Sequence, residues 1–355
     1  MSADGHISHP ADPSSEASRT DRILRGTSMA GFLGFLGFLE HLHPLHGLFE
    51  VAQLFYVFFL LFLVPIVAVV ARGVWNRLSS AGGPSRTQET DSPSDEDDPR
   101  YWITMGYEPS PLKTAQAVAF ILHPNVLVRG LFQLAGGLGA IVRHGGRLPG
   151  PETHDSPVTY SPPFEGEWTV VNGSPDSRYS HSWVPVRQRY AYDFVVTDDA
   201  GSTHDGSGGL GSFHCFDEPI LAPADGTVVR VRDGHRDHHR TSGWIDPLQY
   251  RLAGNYVLIE HGDGEYSFLA HLRKGSVCVS PGERVERGQE VGRCGHSGNS
   301  SEPHLHFHLQ DHRLPYLGAG LPVQFAGRTT HPDTEATEGD RVWAHCGQTL
   351  TPQPG

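Results

Sequence analysis

The C-terminal half of this chain is predicted to be all-β, a folded antiparallel sheet or sandwich preceded by a transmembrane helix and a further helical segment. Two observations carry that prediction. After the Pro-rich join SPVTYSPPFEGEW, the sequence breaks into short alternating runs (EWTVV, RYAYDFVV, GTVVRVR, NYVLIEHG, EYSFLAHL, GSVCV, HLHFHLQ) punctuated by Gly and Pro. No apolar period of 3.6 residues interrupts them, so the strands have no helical layer to pack against.

The segments before the β region each have a different composition. Residues 1–28 are polar, rich in Ser, Asp, Glu and His, and carry no period able to build a core, which predicts a disordered tail. The run LFEVAQLFYVFFLLFLVPIVAVVA, within residues 48–72, has one charge near its start and is long enough for the ~20 residues a bilayer crossing needs. A membrane is therefore an expected partner. Residues 79–100 form an acidic Ser/Pro linker. Residues 112–143 are apolar but broken by His123, Pro124 and Arg129, which predicts a helical hairpin or an interfacial segment. The β domain is placed at 165–311 and a C-terminal extension at 312–355. Arg72 and Arg77 follow the span while no Lys or Arg lies between Gly31 and Glu50, which draws the C-terminal side inward. A second crossing by residues 112–142 would return the domain to the extracellular side, the location expected of it.

Composition excludes some partners. The chain has 40 acidic against 27 basic residues, a net charge of −13, and no basic stripe, so nucleic acid is not an expected partner. Lys113 and Lys274 are its only lysines. An acidic, lysine-poor composition suits a halophilic source, and a GC-rich genome explains the scarcity of lysine equally well. Cys215, Cys278, Cys294 and Cys346 have no CxxC spacing and read as buried thiols, with a Cys278–Cys294 disulfide the alternative in an oxidising compartment. His235, His238 and His239, in DGHRDHHR, read as a solvated loop between two strands.

The candidate chemistry is concentrated in a few histidines and one aspartate. In HLHFHLQ, strand alternation puts His304, His306 and His308 on one face and Leu305, Phe307 and Leu309 on the other, towards the core. Imidazole nitrogen is a preferred zinc donor, so clustered histidines after a Gly-rich turn point to metal ligation or catalysis. Asp193 stands in an aromatic and apolar strand, where an uncompensated carboxylate costs several kcal/mol on the scale of charge burial, so it requires a partner. His271 ends the strand EYSFLAHL and, taken alone, reads as an ordinary strand-end histidine.

Together these segments resemble the lysostaphin/LytM-type zinc peptidases, whose motifs are an HxxxD, a lone His after an aromatic-rich strand, and a terminal HxH. The likeness also takes in LAPADGTVVRV, GNYVLIEHGDGEYSFLAHL and GSVCVSPGERVERGQEVGRCGHSGNSSEPHLHF. It implies a duplicated hybrid-motif β core, one Zn2+ held by Asp193 and His306, and His271 and His304 flanking the attacking water. It also implies a peptide or cell-envelope substrate. One position departs from the pattern: Arg189 stands where the family has its first His, and guanidinium does not ligate zinc. His181 is then the expected third ligand, with His214 in reserve. Alternatively, Arg189 pairs with Asp193 and leaves a degenerate module that binds peptide or protein without cutting. APADGTVVRV and PGERVERGQEVG are also similar to biotinyl and lipoyl carrier domains, but neither lysine has the flanks of a modifiable hairpin tip.

Overall fold

The computed structural model describes residues 102–105, 112–113, 116, 124–180, 182–183, 185–241, 251–262, 264–314 and 316–353. The tail, the expected membrane span and the acidic linker lie outside the described residues, as does His181. Among the described residues, no helix is long and apolar enough to cross a membrane. The second apolar segment contains one 20-residue helix, α1 (Pro124–Arg143). Pro124 opens this helix, because the first turn has no need of its missing N–H. The second crossing expected over residues 112–142 is thus not formed by α1. Phe132, Leu138 and Val142 lie exposed along it, while Gly136 packs so closely on the Tyr316 carbonyl that a Cβ would overlap it.

The remainder is mostly antiparallel β. Its strands are β1 (Trp168–Asn172), β2 (Tyr192–Val195), β3 (Pro219–Leu221), β4 (Gly226–Arg232), β5 (Asn255–Gly262), β6 (Glu265–Leu272), β7 (Arg284–Val285), β8 (Glu290–Arg293), β9 (Leu305–Gln310), β10 (Gly320–Leu321), β11 (Phe325–His331), β12 (Thr334–Val342) and β13 (Thr349–Pro352). The main sheet runs β12-β11-β13-β1-β2-β9-β6-β5-β4-β7, with β10 paired to β9, and β3 with β8 forms a separate two-stranded sheet. The sheet therefore does not end at Asp311. β13 pairs with β1 and with β11, so residues expected to be an extension are built into the domain. GSVCV is not a strand; the segment runs as loop beside β8, with the Cys278 amide bonded to the Val291 carbonyl.

Cross-strand register sorts the side chains between two faces. Tyr192, Phe307, Leu269 and Val257 lie opposite one another across β2, β9, β6 and β5 and belong to the main core. Phe164 and Tyr160, from the segment before β1, join that core, with Ile220 and Val291 from the small sheet. The next row, Asp193, His306, Ala270, Tyr256 and Arg232, falls on the opposite face. One face thus carries the apolar core and the other carries the candidate chemistry.

None of the four cysteines is in a disulfide, with Cys215, Cys294 and Cys346 buried and Cys278 exposed, so the Cys278–Cys294 bridge does not form. His235 and His238 are buried rather than solvated. The His238 amide bonds to the His296 carbonyl and the His235 amide to Asn255 Oδ1, which ties this insertion to the edge of the site.

Candidate active site

Asp193 and His306 sit directly opposite each other on β2 and β9, with Asp193 Oδ1 2.9 Å from His306 Nδ1. Both are buried, at 6% and 5% exposure. The other carboxylate oxygen accepts a hydrogen bond from Asn172 Nδ2 at 3.2 Å. Neighbours two and four residues further along β9 define the state of His306. Gln310 donates its Nε2 to the His312 carbonyl at 2.5 Å, which leaves Oε1 to accept from His308 Nε2 at 3.1 Å. His308 is held neutral by burial, so its Nδ1 is an acceptor and receives the Nε2 proton of His306 at 3.0 Å. His306 Nδ1 is thereby aimed at an Asp193 oxygen, a pairing that either a proton on Nδ1 or a shared cation would satisfy. Zinc bonds of about 2.0 Å in a tetrahedron put neighbouring donors about 3.3 Å apart, so the pair fits a shared metal ion.

His304 lies just before β9, with Nδ1 2.8 Å from the Glu302 carbonyl and Nε2 3.7 Å from Asp193 Oδ1. His271 reaches the cluster through a backbone irregularity. Ala270 already faces the site, so strict alternation would send His271 into the core. Instead the register slips between Asn255/Leu272 and Tyr256/Ala270, and His271 adopts φ 63°, a left-handed conformation rarely taken by a residue other than Gly, Asn or Asp. Its ring then lies 4.7 Å from that of His304 and 5.8 Å from that of His306. His271 Nδ1 donates to the Ser297 carbonyl at 2.7 Å, leaving Nε2 for the site. Gly254, at φ 59°, permits this: a Cβ there would lie 2.4 Å from Ser297. Burial first, then the neighbouring His304 and His306, push the His271 pKa well below its ordinary value.

The structure therefore brings Asp193, His271, His304 and His306 together. His214 is elsewhere, its Nε2 3.8 Å from Asp198. Arg189 caps a short 3-10 turn (Val186–Gln188) rather than lying on the strand with Asp193, and its guanidinium stacks over Trp183 at 5.2 Å. Among the described residues, no group of three or more His, Cys, Asp or Glu is arranged to hold a metal ion. Sequence reading placed His308 on the correct face but missed its role behind His306; the HxHxQ spacing was the available signal.

This sheet face and its histidine row define a peptidase-type β domain. Residues 209–316 match the family model of Peptidase family M23, the family of the LytM and lysostaphin enzymes, and the chain carries a domain of that family. His271, His304 and His306 fall within the match and Asp193 lies before it. An uncharacterized metalloprotease of Haemophilus influenzae is 32% identical over 114 residues, 32% of this chain and 20% of that protein. Peptidoglycan DD-endopeptidase ShyA of Vibrio cholerae is 34% identical over 91 residues, 26% and 17% of the two chains. The murein hydrolase activator NlpD of Salmonella typhimurium is 26% identical over 143 residues, 40% and 33%. The chain thus covers about a fifth of the length of the first two relatives.

Proposed function

We propose that the protein is a membrane-anchored zinc-dependent peptidase that hydrolyses a peptide bond in a cell-envelope substrate. The observation that carries this reading is the buried Asp193 Oδ1–His306 Nδ1 pair at 2.9 Å, with the rings of His271 and His304 gathered beside it. Asp193 and His306 would hold the metal, with His181 as the third ligand. Zinc bound there would bring its water towards a pKa of ~7 and polarise the scissile carbonyl. His304 and His271 each have Nδ1 committed to a backbone carbonyl, so each offers Nε2 to a proton or to the developing oxyanion. The apolar run at residues 48–72 would supply the anchor.

A second reading is favoured by Arg189, which takes the place of the family's first histidine and is directed onto Trp183. In that reading the same cleft binds peptide without cutting it, as a regulatory module. Elemental analysis of the purified full chain separates the two. About one zinc per chain is expected, lost in Asp193→Ala and His306→Ala and strongly weakened in His181→Ala, while His214→Ala keeps it. His271→Ala and His304→Ala should retain zinc and lose hydrolysis of purified peptidoglycan by about 10² or more. A folded chain without zinc leaves the binding module as the surviving account.

A further inference from the structure

Beside the histidine cluster, on the same face of the sheet, lies an open groove of about 470 Å³ whose lining includes Arg187, Arg230, Arg232 and Arg251 above Tyr256 and Phe268. No acidic side chain lines it among the described residues, although the chain as a whole carries −13. Two rungs of the sheet join groove and site. One runs Asp193, His306, Ala270, Tyr256, Arg232, and the next His308, Phe268, Leu258, Arg230. Phe268 stacks on His308 at 5.0 Å and on Tyr256 at 4.8 Å, giving a continuous aromatic floor.

Arg187 stands where the two regions meet. It precedes Gln188, whose side chain approaches His306. It is 91% buried, being 9% exposed, and among the described residues its Nε has no hydrogen-bond partner. Its guanidinium lies over Tyr316 at 5.4 Å and Phe268 at 6.0 Å. Burial lowers its pKa to about 10, so it remains cationic at neutral pH. Aromatic faces offset part of the cost of burying a cation, but a planar donor fork is best matched by a carboxylate.

We propose that this groove binds a carboxylate-bearing stretch of an extended peptide, with Arg187 as its anchor. The inference rests on the peptide-hydrolysing reading of the adjacent site and adds an acidic substrate class to it. Three strand spacings separate β9 from β4, about 14 Å, which an extended peptide covers in about four residues. The groove therefore takes carboxylates from Arg187, next to the site, out to Arg230 and Arg232 on β4, up to about four residues from the bond to be cut. A polyanion such as nucleic acid suits the groove less well, because the net charge outside the groove repels it.

The test uses the purified full chain, metal-free and zinc-loaded, with three dye-labelled probes: a tetraglycyl-diglutamate amide, its diglutamine counterpart, and a hexaglycine free acid. The diglutamate probe should bind about tenfold more tightly than the diglutamine probe at low salt, and the preference should shrink as salt rises. The free acid tells whether a terminal carboxylate serves as well as a side-chain one. Arg187→Gln should abolish the preference, and Arg230→Gln with Arg232→Gln, on the more open edge, should reduce it even if Arg187→Gln fails to fold. Equal affinity for the two amides, or a preference unchanged in both variants, overturns the proposal. A charge preference without hydrolysis of any peptide sustains the groove and removes the peptidase reading.

Discussion

His306 is governed by residues of its own strand. With Nε2 tied to His308 and His308 tied to Gln310, the imidazole cannot rotate or change tautomer without breaking a buried chain of hydrogen bonds. Groups that orient a metal-binding histidine typically contribute about 10 to 100-fold in affinity. His308→Ala should therefore weaken zinc binding by about that factor while leaving one zinc per chain at saturating metal, and Gln310→Ala should do so to a smaller extent. Competition against a chromogenic chelator measures both. Unchanged affinity in His308→Ala would mean that His306 is fixed by something other than this chain. His271 illustrates the limit of sequence reading at this scale. Its type was legible as a lone histidine after an aromatic strand, but its direction depends on a left-handed bulge that alternation does not encode.

At the scale of elements, strands with strong alternation were legible and weak ones were not. HLHFHLQ declared both faces, because Leu305, Phe307 and Leu309 have no other reason to alternate with histidine, and all three are fully buried. β10 and β13 are short, and β11 and β12 are rich in Thr, Gly and charge, so nothing local marked them as part of the sheet. Yet Phe325 on β11 packs edge-on against Tyr192 and Phe194, behind the strand that carries Asp193. Tyr192 Oη also donates to the Ala344 carbonyl at 3.1 Å. Phe325→Ala should cost about 3 to 5 kcal/mol, read from the urea midpoint. A chain ending at Asp311 should lose cooperative unfolding altogether, since it would expose the core face of β1 and β2. A cooperative transition in that truncated chain would show that the sheet closes without its last four strands.

At the scale of the whole domain, buried neutral histidines make stability depend on pH, a property no motif announces. His296, from the Gly-rich turn GHSGNS, is fully buried, with Nδ1 2.8 Å from Ser300 Oγ and Nε2 3.0 Å from the Arg240 carbonyl. Burial, chiefly, lowers its pKa from 6.5 to about 4, and burial shifts His261 in the same direction. Between pH 6.5 and 4 the unfolded chain takes up a proton at His296 that the folded chain refuses. Stability from this residue is therefore full above pH 6.5 and lost as pH falls towards 4, by about 3 kcal/mol. Glu265 adds a later loss. Burial alone would raise its pKa, but hydrogen bonds from His154, Ser156 and Tyr160 outweigh that and hold it below the usual carboxylate range. Its contribution is present above the ordinary carboxylate pKa and disappears as pH drops through the lowered one. Urea unfolding in the presence of a chelator, so that metal release does not contribute, should show the midpoint falling steadily from pH 6.5 to 4. His296→Gln should be less stable at pH 7 yet flatter across that interval. If the variant retains the parental slope, His296 is not the source of the acid sensitivity.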